Sequence, residues 1–477
     1  MTTPKKTATA KKKTAGRKTR KNNAGSQKLT IASRPDKLTI RSYQVGFGDC
    51  FLLTFHYGRQ RRHVLIDFGS TGRPKDAPGD LLMRVANQIK EHCEGKLHIV
   101  VATHRHQDHI SGFKTSDDPA KKSTGEIISE CRPDVVIMPW TEDPDAAPDA
   151  RHATEVKGLG LVPFARTLND MQMVAASIAR EEKHLRFGLD ADLSGHLAFL
   201  GEDNLKNHSA VKNLLEMGQK GRALFVRYED DPLDLDDVLP GVTVRSLGPP
   251  DLTQSDEITS MRSKDAAQFW MLQAASGRSA LHEESPDNDN FLFHSAAALG
   301  NVVPVAQHLT PPHTRWFIRR MNSVRGTQLL ELVRVLDSVL NNTSIILLFE
   351  AGRRKLLFPG DAQIENWNYA LSKPEVVEML ADVDVYKVGH HGSRNANPIS
   401  IWEGFKKKKN NKLRGGQQVM QTFMSTMSGK HGGHNAKDPN TEVPRESLVE
   451  ALKKESEHFS TQMLGPDDLF KEFEIKL

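Results

Sequence analysis

The sequence predicts an α/β fold, because strand-like and helix-like segments alternate along it. Three short apolar runs, separated by glycine-containing connections, predict strands at 38–45, 50–55 and 62–67. Between 79 and 94, apolar residues recur at helical spacing, and a β-branched run at 97–102 predicts the next strand. Strands and helices in this order are typical of helices layered on a sheet.

The remaining elements continue this pattern. A buried strand that ends at a proline is predicted at 135–140. The later predicted elements are a helix at 168–185, a strand at 242–247, an amphipathic helix at 326–340, a hairpin of strands at 344–350 and 355–358, strands at 383–388 and 418–426, a helix at 444–457 and an edge strand at 459–463.

Composition excludes several classes of protein. The chain has 477 residues, and its longest apolar run, near 344–349, is far shorter than the ~20 residues that span a bilayer. We therefore expect no membrane-spanning segment. Cys50, Cys93 and Cys131 are odd in number and form no C-x-x-C pair, which favours a reducing compartment, and we expect a cytoplasmic protein.

The net charge of +5 is distributed unevenly. Residues 1–28 contain ten Lys or Arg and no acid, so the rest of the chain carries about −5 by the same count, 5 minus 10. A segment this basic and low in complexity is expected to be disordered. It can hold a nucleic acid by counterion release, or it can be a solvated extension that keeps the protein soluble.

These observations predict the domain organisation. Residues 1–36 form a disordered Lys- and Arg-rich tail, and residues 37–462 form one domain. An insertion with polar, Pro- and Ser-rich edges at about 251–323 interrupts that domain, and residues 463–477 form a C-terminal extension.

The densest cluster of metal-binding side chains is the segment THRHQDH at 103–109. Its donors are His104, His106, Asp108 and His109, and they follow directly on the predicted strand at 97–102. Imidazole nitrogens and carboxylate oxygens are the ligands that zinc, manganese or iron prefer, and a structural zinc site would normally contain cysteine. The motif therefore predicts one or two ions with coordination left for water.

This motif resembles the signature of the metallo-β-lactamase superfamily, and the resemblance covers most of residues 38–462. Further segments in the same order are similar to its ComEC-type metallo-hydrolases, although this chain lacks their membrane spans. These segments are VGFGDC at 45–50, IDFG at 66–69, NTS at 342–344, PGDA at 359–362 and KVGHHGS at 387–393. The resemblance implies an αββα sandwich of two mixed sheets flanked by helices, and a metal-dependent hydrolase.

The resemblance also implies a set of ligands for two divalent ions, Zn²⁺ in the first place and Mn²⁺ as the alternative. His104 and His106 are assigned to one ion, and Asp108 and His109 to the other. Asp361 bridges the two. His390 completes the second set because it immediately follows a predicted strand.

Three residues are assigned other roles, that of Asp67 by the same resemblance. His391 faces substrate. Asp67 lies beneath the metal loop as an outer partner of the ligands, a contact that metal-binding imidazoles need to fix their tautomer. Asp108 also orients the attacking water.

The sequence departs from the superfamily at one position. Many members supply a further histidine to the first ion at a strand end, whereas the strand at 242–247 runs into Gly248, Pro249 and Pro250 without one. Either His196 or His208 substitutes from elsewhere, or the first site is open and weaker.

Three functions are compatible with these residues. The first is a phosphodiesterase or nuclease that uses a metal-activated water, with nucleic acid held by the basic tail. The second is a hydrolase of a small ester, lactone, thioester or cyclic nucleotide, since superfamily members differ in substrate through their loops. The third is a non-catalytic binding protein with a degenerate metal site.

Overall fold

The computed structural model describes residues 32–144, 207–255, 340–427 and 443–477, apart from 75, 117, 119–120, 252, 394, 414–416 and 466. Several predicted features lie outside the described residues: the tail up to 31, the helix at 168–185, most of the insertion at 251–323, and the helix at 326–340 except for its last residue. His196 also lies outside them.

The first sheet contains seven strands. The strands are β1 (Lys37–Tyr43), β2 (Cys50–Tyr57), β3 (Gln60–Phe68), β4 (Ile99–Val101), β5 (Val135–Pro139), β6 (Arg222–Val226) and, as the last strand of the chain, β13 (Phe470–Lys476). Their order is β13-β1-β2-β3-β4-β5-β6. The pairs up to β2–β3 are antiparallel, and the pairs from β3–β4 to β5–β6 are parallel.

The second sheet contains six strands. They are β7 (Val242–Gly248), β8 (Ile346–Ala351), β9 (Arg354–Phe358), β10 (Val385–Lys387), β11 (Gln421–Met424) and β12 (Glu457–Ser460). Their order is β12-β11-β10-β9-β8-β7. The pairs β7–β8 and β8–β9 are antiparallel, and the pairs from β9 to β12 are parallel. Both sheets are therefore mixed.

Helices cover one face of each sheet. On the first sheet lie α1 (Leu81–His92), the single turn α2 (Gln107–Ile110), α3 (Thr124–Glu130) and α4 (His208–Lys220). On the second lie α5 (Ile364–Leu371), α6 (Pro374–Ala381), α7 (Ile399–Gly404) and α8 (Glu446–Glu455). Each group shares a buried hydrophobic cluster with the strands it covers. The buried face of α1 is made by Leu81, Val85, Ala86 and Ile89, at the helical spacing seen in the sequence.

The other faces of the two sheets meet each other. Side chains alternate across a strand, so Phe51 and Phe55 of β2 point away from the helices. Their ring centroids lie 5.7 Å from Phe358 of β9 and 6.4 Å from Phe349 of β8. The coarse prediction of an α/β fold with two mixed sheets and helices is confirmed. Among the described residues, no helix is both long enough and apolar enough to cross a membrane.

The stretch at 463–477, set apart above as an extension, contains an edge strand of the first sheet. All seven residues of β13 pair with β1, from Lys37 opposite Lys476 to Tyr43 opposite Phe470. The aromatic ring of Phe473 in this strand packs on Phe423 of β11, with centroids 4.6 Å apart. The end of the chain therefore takes part in the contact between the two sheets.

Both sheets change from antiparallel to parallel pairing at one strand, β3 in the first and β9 in the second. The carboxyl ends of β3 and β4 lie side by side, and so do those of β9 and β10. Ligands of open α/β sheets bind outside the carboxyl ends of such strands. The predicted metal-binding residues follow these strand ends.

Candidate metal centre

The THRHQDH segment is placed by a strand and by one helical turn. After β4 ends at Val101, the chain bends at His104 and Arg105 and is extended again at His106, which has φ −64° and ψ 153° and precedes α2. Asp108 and His109 lie on α2. The segment packs so closely on Gly69 that a Cβ at this glycine would lie 2.5 Å from backbone atoms of 107–109. Only glycine fits here, which gives a physical reason for the IDFG segment.

Four of the candidate side chains form one compact group, here called the carboxylate–histidine cluster: Asp108, His109, Asp361 and His391. Their ligand atoms all lie within 4.8 Å of one another. His391 Nε2 is 2.8 Å from Asp108 Oδ2, and His109 Nε2 is 3.0 Å from Asp361 Oδ2. The side chain of Asp108 is 13% exposed, whereas the other three are fully buried. This is a mixed nitrogen and oxygen donor set that fits a divalent ion.

Hydrogen bonds fix the tautomers of both histidines. His391 Nδ1 lies 2.8 Å from the carbonyl oxygen of Ser425, and His109 Nδ1 lies 2.7 Å from Asp67 Oδ2. Both partners can only accept, so each Nδ1 carries the hydrogen. In the neutral imidazoles, Nε2 then presents a lone pair toward Asp108 or Asp361. Lone pairs that converge on a carboxylate oxygen are suited to a cation between them.

Asp67 occupies the position predicted for an outer partner of the ligands. It accepts hydrogen bonds from Thr103 N, from Thr103 Oγ1 and from His109 Nδ1, at 2.7, 2.8 and 2.7 Å. Its φ is 55°, in the left-handed region that few non-glycine residues adopt. This conformation at the end of β3 turns the carboxylate toward the motif loop. Asp67 thus orients the ring of His109.

The two histidines of the KVGHHGS segment lie differently from the predicted arrangement. His391 belongs to the carboxylate–histidine cluster, whereas His390 Nε2 lies 3.8 Å from Asp361 Oδ2 and its side chain is 26% exposed. The physical reason is backbone conformation. His390 and His391 have φ of 43° and 52°, so the chain turns sharply after β10 and carries the second imidazole inward. The geometry therefore favours His391 as the ligand and leaves His390 at the rim.

His104 and His106 lie beside the cluster. His104 Nε2 is 3.0 Å from His106 Nδ1, and the ring of His104 is 4.2 Å, centroid to centroid, from that of His109. The ligand pair predicted for the first ion is thus assembled. His208, one of the two candidates for its third ligand, is the first residue of α4. β7 runs into Pro249, as the sequence indicates. A side chain that sequence reasoning missed approaches the pair: Asn341 Oδ1 lies 3.1 Å from His106 Nδ1.

A buried lysine also lies in the site. Lys387 is 2% exposed, forms an ion pair with Asp49, and lies 3.6 Å from Asp361 Oδ1 and 3.2 Å from the carbonyl oxygen of Gly360. The sequence contains a signal for it, since Lys387 stands within the apolar strand run at 383–388. A lysine in a buried strand requires a carboxylate partner.

Electrostatics favour positive charge at this point. Burial opposes protonation of His109, but Asp361, Asp67 and Asp108 raise its pKa well above the usual range. Asp361 shows the converse: burial disfavours its ionised form, yet His109 and His390 hold its pKa well below the usual range. Four carboxylates lie in or beside the cluster, those of Asp49, Asp67, Asp108 and Asp361. Lys387 pairs with two of them, Asp49 and Asp361, so in their ionised forms the carboxylates outnumber its one ammonium. Divalent ions fit such a site.

His104 behaves differently. Burial, together with His109 and His106, lowers its pKa well below the usual range. The imidazole is therefore neutral at physiological pH, the state in which histidine binds metal.

No protein-family model matches the chain, and no curated protein matches it significantly.

Proposed function

We propose that this chain is a metallo-β-lactamase-type hydrolase of ComEC-like pattern that cleaves phosphodiesters, with nucleic acid as its substrate. One observation carries the proposal. Donors from α2, from the loop after β9 and from the loop after β10 converge within 4.8 Å, although they come from two different sheets. Buried imidazole and carboxylate donors that converge from distant parts of the chain are the arrangement of a metal site.

Divalent ions at such donors supply a water of lowered pKa and neutralise charge on a phosphoryl oxygen. The residues of this chain have distinct tasks around them. His109 and His391 present Nε2 because Asp67 and Ser425 hold their Nδ1 hydrogens. Asp361 is oriented by the backbone N–H of His390, 3.1 Å from Oδ1, which leaves Oδ2 facing His109. Asp108, at the exposed side of the cluster, orients the attacking water.

The preference for nucleic acid comes from charge distribution. Residues 1–28 contain ten Lys or Arg and no acid, whereas the rest of the chain is mildly acidic. A basic segment attached to such a body holds polyanions and keeps them near the site, with binding that weakens steeply as salt increases. The cytoplasm is the compartment in which we expect this reaction.

The direct test is hydrolysis by the full chain with Mn²⁺ or Zn²⁺. The substrates are single- and double-stranded DNA and RNA, and bis(p-nitrophenyl) phosphate as a small diester. Asp361→Asn should abolish cleavage, because it removes a charged donor from the cluster. Asp384→Asn is the matched control: it removes a buried carboxylate that is paired with Arg354 and Lys407, away from the cluster.

The outcomes are distinct. Cleavage of nucleic acid that is lost in Asp361→Asn and kept in Asp384→Asn supports the proposal. Cleavage of small diesters or esters alone, unchanged by deletion of residues 1–28, assigns the protein to hydrolases of small esters. Inactivity of the metal-loaded chain on every substrate rejects catalysis and leaves a metal-binding protein.

A further inference from the structure

The amide of Asn341 is aimed at the histidine pair of the motif. Its Oδ1 lies 3.1 Å from His106 Nδ1, and that same nitrogen lies 3.0 Å from His104 Nε2. All three side chains are buried, with exposed fractions of 1%, 5% and 1% for Asn341, His106 and His104. Three polar atoms thus meet out of contact with solvent.

Hydrogen bonding alone leaves these atoms poorly satisfied. The hydroxyl of Thr103 donates to Asp67 Oδ2, so toward His104 Nδ1, 3.3 Å away, Thr103 Oγ1 can only accept. His104 therefore carries its hydrogen on Nδ1 and presents a lone pair at Nε2. Asn341 Oδ1 has no hydrogen. At most one hydrogen, on His106 Nδ1, is available for two acceptors at nearly equal distances.

A second observation concerns the other end of the same amide. Within the described part of the chain, Asn341 Nδ2 has no hydrogen-bond partner, although it is buried. Buried amides normally satisfy both ends, and exceptions require an explanation. A ligand role for Oδ1 provides one, because the orientation of the amide is then set by its oxygen.

The segment that carries Asn341 is fixed to the motif strand end. Ile345 N donates to the carbonyl oxygen of Thr103 at 2.9 Å, and Ser344 N donates to that of Asn341 at 3.0 Å. Asn366 Nδ2 donates to the carbonyl oxygens of Asn342 and Ser344 at 3.1 and 2.8 Å. A donor held on a rigid segment beside other donors is the arrangement that a metal ligand requires.

We infer that the amide oxygen of Asn341 completes, with His104 Nε2 and His106 Nδ1, the ligand set of a first divalent ion beside the carboxylate–histidine cluster. This inference rests on the function proposed above. Many superfamily members supply a further histidine to this ion from the strand end at which this chain has Pro249. Asn341, which directly precedes the NTS segment, takes the place of that histidine. Two nitrogens and one neutral oxygen leave a position for water or substrate.

The donor set has a consequence for metal choice. An amide oxygen is a harder and weaker ligand than imidazole, and carbonyl oxygens suit Mn²⁺ and Mg²⁺ better than a third nitrogen does. The first ion is therefore held more weakly than the ion at the cluster. The affinity of this site for Mn²⁺ is also closer to its affinity for Zn²⁺ than it would be at an all-imidazole site.

The experiment counts bound Mn²⁺ by elemental analysis after equilibrium dialysis of the full chain over a range of free Mn²⁺. The wild type should bind two ions of unequal affinity. Asn341→Leu, which keeps the side-chain size and removes the donor, should bind one. Asn342→Leu is the matched control, since that neighbouring amide donates to Glu365 Oε2 instead. It should bind two ions even where its stability is lower.

Two ions in Asn341→Leu with unchanged affinities, or one ion in the wild type at every Mn²⁺ concentration, overturn the inference. If Asn341→Leu fails to fold by circular dichroism, Asn341→Asp decides. A charged oxygen in the same place should tighten the weaker site by at least about tenfold, and an unchanged affinity overturns the inference. Ion counts are independent of turnover. Two ions without hydrolysis reject only the proposed function, and hydrolysis with one ion rejects only the role of Asn341.

Discussion

His391 Nε2 lies 2.8 Å from Asp108 Oδ2, although 283 residues separate the two along the chain. The contact joins the loop after β10 in the second sheet to α2 on the first. Because the two residues belong to different sheets, the cluster exists only in the folded chain. An ion that bound this cluster would therefore stabilise the native state, since the unfolded chain does not bring the donors together.

The first prediction concerns the two neighbouring histidines. His391→Ala removes a donor of the carboxylate–histidine cluster and should weaken binding of the tighter Mn²⁺ or Zn²⁺ ion by at least about 100-fold, since loss of an outer partner already costs 10- to 100-fold. His390→Ala, at the rim, should change this affinity by less than about tenfold. Isothermal titration calorimetry measures both. Equal losses in the two variants would contradict the placement of His391.

His390 and His391 show which features of the site can be predicted from the sequence and which cannot. The donors of the motif and the strands that carry them follow from residue types and from order along the chain, and the position of Asp67 beneath them is what the resemblance of the IDFG segment implies. The choice between His390 and His391 does not follow from them, because it depends on two left-handed backbone conformations within one turn. Spacing from a strand end predicts side-chain direction only while the chain stays extended.

The second prediction concerns the buried ammonium. Lys387→Met leaves Asp49 and Asp361 without their cation, and removing one partner of a buried pair typically costs about 3–5 kcal/mol. In EDTA, the free energy of unfolding should therefore fall by about this amount. With saturating Mn²⁺ the loss should be smaller, because the ion supplies part of the missing positive charge. Urea denaturation with and without metal measures the difference.

The control for this variant is Lys355→Met. Lys355 Nζ lies 3.5 Å from Glu350 Oε1, and both side chains are about a quarter exposed. A partly exposed pair of this kind contributes about 1 kcal/mol or less, and the loss should not depend on metal. If Lys387→Met loses the same free energy of unfolding with and without metal, the ammonium of Lys387 does not interact electrostatically with the bound ions.

The third prediction concerns Asp67. In Asp67→Asn, one of the two acceptor oxygens becomes an NH₂ group, which meets either the N–H of Thr103 or the Nδ1 hydrogen of His109. Asparagine tolerates the φ of 55° at this position, so the fold should persist. Affinity for the tighter ion should fall by about 10- to 100-fold, because His109 is no longer held in the tautomer that presents Nε2. Calorimetry with Mn²⁺, alongside circular dichroism, tests this, and an unchanged affinity would contradict the role assigned to Asp67.

Other parts of the structure could not be read from residue types. β13 is charged on one face, and the sequence predicts no strand there, since only its pairing with β1 makes it one. Nothing in the sequence sets Asn341 apart, because amides are common before strands, and its contact is with a histidine 235 residues away. In both cases the information lies in tertiary contacts, which local propensity does not predict.

Two buried histidines outside the metal centre contribute to the dependence of stability on pH. His63 on β3 donates its backbone N–H to His98 Nδ1 at 3.0 Å, and their exposed fractions are 2% and 4%. Burial, reinforced by neighbouring positive groups, lowers the pKa of each to about 3. In the unfolded chain, where the histidine pKa is near 6.5, these two side chains therefore bind protons below pH 6.5, whereas in the folded chain they stay neutral until the pH approaches 3. The contribution of these two groups to stability is constant well above pH 6.5 and falls as pH decreases from 6.5 toward 3.

The fourth prediction follows from that sign. Each of these histidines should contribute a slope of about 1.4 kcal/mol per pH unit to the free energy of unfolding below pH 6. His63→Gln removes one titrating group, so the slope between pH 6 and pH 5 should decrease by about 1 kcal/mol per unit. Thr54→Val removes the hydroxyl that lies 3.1 Å from His63 Nδ1 and adds no charge, so it should lower stability about equally at both pH values. Urea denaturation in EDTA at pH 7, 6 and 5 measures all three proteins. A slope in His63→Gln equal to that of the wild type would mean that His63 takes up its proton without unfolding.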